Sequence, residues 1–274
     1  MSIKLIATDL DGTLMSPDHM TITDFTLDTL KKAHNMGVKI VVSTGRPLAL
    51  TDKVIKQIPF ADYVIYGNGA CIFDRNSNKK IYSNLISNHA AVKIIKYFLN
   101  QKVFFEVYVN GRSQYQFGFE EYFDKTDMPN DFIDEVIKSM DGHEDLLKYL
   151  GDNDIEKITL YSVKDDKYPI YNAELERMGF STASSFKGNL EATASSADKG
   201  TALDELSKIL GITADEVMSF GDEGNDIPML IFAKYSFAMG NASEECKKAA
   251  KFIAKSNAED GLAKAVCEYV LNND

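Results

Sequence analysis

The chain has 274 residues, 45% of them hydrophobic and 26% charged, and a formal net charge of −11. That length suits two domains or one large one, and the mix suits a soluble globular fold. The acidic balance argues against a nucleic-acid or anionic-membrane partner, and it obliges any phosphate site to gather positive charge from a metal and a few placed Lys or Arg.

No apolar run approaches the roughly 20 residues of a membrane-spanning helix, and the N-terminus enters a strand without a signal-peptide pattern, so the expected location is the cytoplasm. Cys71, Cys246 and Cys267 lie far apart, out of metal spacing, and are expected to be reduced and packed. His19, His34, His89 and His143 form no ligand pattern.

Ile3 to Thr8 is mostly apolar and reads as a strand buried in a parallel sheet. It runs straight into Asp9-Leu10-Asp11-Gly12-Thr13, and in open α/β sheets ligands bind at the carboxyl ends of strands. Side chains two apart on an extended chain point the same way, so Asp9 and Asp11 are expected to face one cavity. Carboxylates that close repel, which invites a divalent cation or a shared proton. Gly12 permits a sharp turn, and Thr13 can hydrogen-bond Asp11 or a backbone group. Taken alone, D-x-D-G reads better as an Asx turn ending a strand, and it is the motifs further along that favour a site.

Thr21 to Asn35 carries the helical stripe Leu27, Leu30, Ala33 and Met36, closed by Gly37. Val38 to Val42 is a second buried strand, ending in Ser43-Thr44-Gly45-Arg46-Pro47. Pro47 suits the first turn of a helix reaching about Ile58. A hydroxyl and a glycine there can offer an anion O–H and N–H donors, with Arg46 as a nearby cation; a plain turn before a helix is the alternative. Tyr63 to Tyr66 is a third strand. It opens into Gly67-Asn68-Gly69-Ala70, either a hairpin turn or a place where backbone approaches a ligand.

From Asn84 to Asn189 the rhythm changes. Helical stretches (Ala90 to Leu99, Phe132 to Met140, Tyr171 to Met178) separate alternating strands at Val103 to Val109 and Lys157 to Val163, with loops at Asp124 to Asp131 and Gly151 to Asp154. Half-polar alternation predicts an antiparallel sheet with one wet face and helices on the other. Phe104, Tyr108, Tyr115 and Phe117 are expected to pack rather than to touch a ligand.

Strand and helix then alternate again. Asp198-Lys199-Gly200-Thr201 opens a helix with the stripe Ala202, Leu203, Leu206, Ile209 and Leu210, stopped by Gly211. A lysine at a helix N-terminus is disfavoured by the dipole and makes sense beside an anion. Val217 to Phe220 is a strand ending in Gly221-Asp222-Glu223-Gly224-Asn225-Asp226-Ile227-Pro228, whose acids and amide suit a hard cation. Ser236 to Met239 reads as a short strand, and Leu262, Val266, Tyr269 and Val270 mark a closing helix.

D-L-D-G-T-L (Asp9 to Leu14), S-T-G-R-P (Ser43 to Pro47), K-G-T-A-L (Lys199 to Leu203) and G-D-E-G-N-D (Gly221 to Asp226) occur in that order, each at a strand end or helix start. With the Gly67-Asn68-Gly69-Ala70 loop they resemble the haloacid dehalogenase superfamily, and within it the Cof-type (subclass IIB) sugar-phosphatase-like hydrolases, across the whole chain. The resemblance implies an α/β fold: a Rossmann-like parallel-sheet core with helices on both faces, residues 1–83 and 190–274, plus an inserted α+β cap, residues 84–189. It implies Mg²⁺-dependent hydrolysis of small phosphorylated metabolites, sugar phosphates foremost, through an aspartyl-phosphate. A phosphomutase or phosphotransferase using the same nucleophile, and a non-catalytic phosphate-binding module, are the alternatives.

Carried onto this sequence, the resemblance makes Asp9 the nucleophile and Asp11 the general acid and base. Mg²⁺ would be held by the Asp9 carboxylate, the Asp11 backbone carbonyl and Asp222. Thr44, Lys199 and Asn225, with the backbone N–H groups of Leu10 and Gly45, would bind phosphoryl oxygens. Thr13, Arg46 and Asn68 would support the site, and Asp226 would orient Lys199 or a metal-bound water. Lys199, Arg46 and the metal would meet the demand for local positive charge.

Overall fold

The computed structural model describes residues 2–123, 138–185 and 187–272. β1 (Leu5–Thr8), β2 (Lys39–Ser43) and β3 (Tyr63–Tyr66) are short runs of apolar and β-branched residues, almost wholly buried. Such strands are stable only when helices cover both faces, and they pair in parallel, Leu5 opposite Lys39 and Val41 opposite Tyr63. β3 turns back through Gly67 to Ala70 into β4 (Cys71–Asp74) and then β5 (Lys79–Ser83), both antiparallel. The hairpin alternative for that loop therefore holds.

The chain next builds a second sheet. β6 (Phe104–Val109), β7 (Arg112–Gln116), β8 (Met140–His143), β9 (Lys157–Tyr161), β10 (Phe180–Ala183) and β11 (Leu190–Ala194) lie in the order β10-β11-β9-β6-β7-β8. All neighbours are antiparallel except β7 and β8. β12 (Val217–Gly221), β13 (Tyr235–Ala238) and β14 (Phe252–Ile253) then complete the first sheet as β14-β13-β12-β1-β2-β3-β4-β5.

Alternate residues of the first sheet feed two apolar layers. Ile6, Ile40, Val42 and Phe220 pack under the helices Asp24–Asn35, Leu48–Gln57 and Gly261–Val266; Leu5, Val41, Ile65 and Val217 pack under Lys199–Leu210 and Ile227–Phe232. The inserted sheet has its own core, where Ile94, Ile95 and Phe98 meet Phe105, Val107, Ile158 and Leu160.

Several expectations need correction. Leu190–Ala194 pairs with β9 and β10, so the chain leaves the inserted sheet after residue 194 rather than at 190. The return strand had been hidden by its small and polar residues. Met36 and Ile209 are 56% and 55% exposed, because Met36 already lies past its helix end and Ile209 sits at the edge of its stripe. The loop Asp124 to Asp131 and most of the helix expected over Phe132 to Met140 lie outside the described residues, and Met140 itself opens β8. Most consequentially, the face of the inserted sheet expected to be wet is buried: Glu106, Tyr108, Lys157, Thr159, Tyr161 and Glu191 point away from the covering helices yet are closed off from solvent.

Cys71, Cys246 and Cys267 are free thiols, the first two buried. Among the described residues no helix is long and apolar enough to cross a membrane.

Candidate active site

Three elements end at one place. β1 delivers Asp9, β12 delivers Asp222, and the helix Lys199–Leu210 begins with Lys199, which is fully buried. Asp198 caps that helix, its side chain accepting the Thr201 N–H at 2.7 Å and the Thr201 hydroxyl at 2.9 Å. The cap places Lys199 on the first turn, where the dipole opposes a cation, and two carboxylates overcome that opposition. Lys199 Nζ donates to Asp9 Oδ1 and to Asp226 Oδ1, each at 2.6 Å. The anion expected beside Lys199 is thus this pair of side chains.

Asp9, Asp222 and Asp226 are buried and bring one carboxylate oxygen each to within 4.8 Å of one another. Three carboxylates face one ammonium, and the imbalance registers in their proton affinities. Burial, against the pull of Lys199, raises Asp9 to about 7. Burial, then the charges of Asp9 and Asp226, raises Asp222 to about 9. Burial works against the charge on Lys199, but Asp226 and Asp9 raise its pKa overall. A hard divalent cation fits this donor set, because it supplies the missing charge and takes oxygen ligands. Asp226 also accepts the backbone N–H groups of Asp222 and Glu223 at 2.9 and 3.1 Å, which suits it to holding Lys199 and the loop.

Asp9 and Asp11 do not share that cluster. Residues Leu10–Leu14 are a kinked turn, with Asp11 extended (φ −78°, ψ 122°) and Gly12 left-handed (φ +76°), so β1 does not continue through them as a regular strand. The glycine is required twice, since a Cβ would also strike the Asp222 carboxylate. Thr13 donates to Asp222 Oδ1 at 2.6 Å rather than to Asp11 or a backbone group, the two partners expected, because the turn swings its hydroxyl toward β12. Asp11 instead takes a two-pronged ion pair from Arg46 (Nε to Oδ2 2.8 Å, Nη2 to Oδ1 2.6 Å) and lies 3.2 Å from His19 Nδ1. Burial would raise Asp11, but Arg46 and His19 override it and hold it at about 2. Arg46 is thus paired with Asp11 in this arrangement.

β2 ends at Ser43, and Thr44 follows, buried, its Oγ1 accepting the Arg46 N–H at 3.1 Å. Asn68 occupies the left-handed region (φ +56°) and links outward: its Nδ2 donates to Glu191 Oε2 at 2.5 Å, and its Oδ1 accepts Asn225 Nδ2 at 3.2 Å. The sequence reading missed Lys157, Glu191, Ser185 and His19. Lys157 looked like the polar start of a strand, and only its alternation with Thr159 and Tyr161 hinted at a shared surface; the strand that carries Glu191 gave no signal.

A family model described as haloacid dehalogenase-like hydrolase matches residues 6–266. The chain is 31% identical to the 5-amino-6-(5-phospho-D-ribitylamino)uracil phosphatase YcsE of Bacillus subtilis, over 99% of this chain and 97% of that one. It is 28% identical to phosphatase YwpJ of the same organism, over 95% and 98%. Among solved structures, a haloacid dehalogenase-like hydrolase from B. subtilis superposes with a TM-score of 0.86 at 25% identity, covering 96% of this chain and 99% of that one. The subclass IIB sugar phosphatase BT4131 superposes with a TM-score of 0.80, also at 25% identity, covering 97% and 98%. With the carboxylates gathered at the strand ends, these likenesses carry one conclusion: the chain belongs to the haloacid dehalogenase-like hydrolase family and is an enzyme of its Cof-type phosphatase branch.

Proposed function

We propose that this enzyme is a Mg²⁺-dependent phosphatase of small phosphorylated metabolites, sugar phosphates foremost, working through an aspartyl-phosphate on Asp9. The observation that carries the proposal is the buried cluster of Asp9, Asp222 and Asp226 around Lys199. Asp9, Asp222 and the Asp11 carbonyl would hold Mg²⁺, which when bound neutralises phosphate charge and aligns the phosphoryl group with Asp9. Asp9 attacks phosphorus, the bond from phosphorus to the ester oxygen breaks, and that oxygen takes the proton of Asp11. Water then attacks the same phosphorus, Asp11 takes a proton from it, and Asp9 departs as a carboxylate.

In the arrangement described, Arg46 keeps Asp11 charged, ready for the second half-reaction. The first half-reaction needs Asp11 protonated, so Arg46 must turn away, and the substrate phosphate is a competing partner of the right charge. Lys199, Thr44, Asn225 and the N–H groups of Leu10 and Gly45 receive the phosphoryl oxygens, Asp226 fixes Lys199, and the inserted sheet acts as the cap over them.

Phosphate release across a panel of sugar phosphates, nucleotides, 5-amino-6-(5-phospho-D-ribitylamino)uracil and an aryl phosphate tests the reading, with Asp9→Asn as the blank. A Mg²⁺-dependent winner that the blank does not turn over is expected. Turnover that persists in a chelator, or in Asp9→Asn, would overturn the assigned roles.

A further inference from the structure

Lys157 belongs to the inserted sheet and is 1% exposed, yet its ammonium reaches out of that sheet. Nζ donates to the backbone carbonyl of Gly45 at 2.7 Å and to Glu191 Oε1 at 2.7 Å, and lies 4.9 Å from the centre of the Tyr108 ring. Glu191, on the neighbouring strand β11, turns its other oxygen to Asn68 Nδ2 and to the Ser185 hydroxyl, at 2.5 and 3.0 Å. Asn225 Nδ2 closes the chain of bonds, donating to Asn68 Oδ1 at 3.2 Å and to Ser185 Oγ at 3.1 Å. One buried ion pair of the inserted sheet thus grips both the Thr44-Gly45 loop and the Gly224–Asp226 turn.

Two further facts bear on its purpose. A buried ion pair loses so much hydration that a well-packed apolar pair of similar size often serves stability as well, so specifying an arrangement is the better account of its presence. Gly45 packs tightly against the same network: a Cβ there would lie 2.7 Å from Asn68 Oδ1, while its 3.5 Å approach to Lys157 Nζ would be an ordinary contact. The glycine of the S-T-G-R-P motif makes room for Asn68, the side chain through which Glu191 reaches Asn225.

We propose that Lys157 and Glu191 form a clasp that sets the phosphate-binding groups only when the inserted sheet is seated: Lys157 positions the Gly45 peptide through its carbonyl, and Glu191 positions Asn225 through Asn68 and Ser185. Both are positioning residues, and the proposal rests on the phosphatase reading of the same site. Removing the clasp leaves the Asp9 cluster intact and the phosphoryl group poorly aligned. A misplacement of that kind, far from the bond that breaks, can lower turnover by about 100-fold.

The test is the paired substitution Lys157→Met with Glu191→Gln in the full chain, which removes the ion pair without stranding a buried charge; the single Lys157→Met is the second variant. With Mg²⁺ and an aryl phosphate, the pair is expected to lower kcat/KM by roughly 100-fold through both a lower kcat and a higher KM, because the groups it positions hold the bound phosphate as well as the transition state. The rise in melting temperature that inorganic phosphate with Mg²⁺ gives the wild type is expected to shrink in the pair, while its melting temperature without phosphate stays near that of the wild type. A pair that turns over like the wild type, or keeps the full phosphate response, overturns the clasp. A wild type without turnover on any ester defeats the phosphatase reading alone if the pair still loses the phosphate response. A wild type with neither turnover nor phosphate response defeats both.

Discussion

Glu106 illustrates how a single buried side chain reports its surroundings. Its carboxylate accepts the Tyr161 hydroxyl at 2.5 Å and the Tyr108 hydroxyl at 3.2 Å, with the Ser113 hydroxyl also bonded to it. Burial raises it from 4.5 to about 7, since the hydroxyls and the charge of Lys157 only partly replace water. Between those two values the folded chain keeps a proton that the unfolded chain has released, so folding stability falls as pH rises through that window. Glu106→Gln has no such proton, and its stability relative to wild type is expected to grow across the window by up to about 3 kcal/mol. Urea unfolding at about pH 5 and about pH 8 checks this, and an equal difference at both would refute it. At Asp9 the expectation is chemical: Asp9→Asn keeps the shape of the side chain and loses the nucleophile, so turnover should drop by at least about 1,000-fold with an unchanged far-UV spectrum.

At the scale of elements, the helix Lys199–Leu210 has to meet the helix Ile227–Phe232 closely enough to aim Lys199, and Gly200 is the contact. A Cβ at Gly200 would lie 2.5 Å from the backbone carbon and oxygen of Pro228. Gly200→Ala should therefore part the two helices, lower stability by about 1–3 kcal/mol and reduce turnover with it. A melt and a rate together decide; a variant as stable and as active as wild type would show that the helices are free to shift. Elements of this kind were legible from sequence. β1, β2, β3 and β12 are mostly apolar runs, and the helix from Lys199 carries both its cap and its stop, Asp198 and Gly211 at φ +67°. β4, β5, β7 and β10 were not legible, being short and half-polar and held by pairing with strands distant in sequence. The site showed the same division. Motif residues at strand tips could be named, but the partners of Arg46, Thr13 and Asn68 depended on a turn geometry that no periodicity encodes. Polarity on β6, β9 and β11 could not tell bulk water from a second set of polar loops.

For the molecule as a whole, charge is the governing quantity. The chain carries a net −11, and three of its buried acids, Asp9, Asp222 and Asp226, converge on one place. Lys199 offsets one charge there and Arg46 is paired with Asp11, so the proposed divalent cation would supply the rest. Binding to the folded state alone stabilises it by mass action, about 2.7 kcal/mol at 100 times the dissociation constant, which is a rise of several degrees in melting temperature for a chain of this size. Asp222→Asn separates a cation ligand from a merely structural acid. Without Mg²⁺ the variant should be at least as stable as wild type, because it removes one of three crowded carboxylates, while the amide oxygen can still accept the Thr13 hydroxyl that Asp222 Oδ1 accepts at 2.6 Å. With Mg²⁺ the order should reverse, since wild type gains the binding energy and the variant gains little of it. Melting curves in chelator and in excess Mg²⁺ give all four values, and two proteins that keep the same order in both conditions would exclude Asp222 from the metal site.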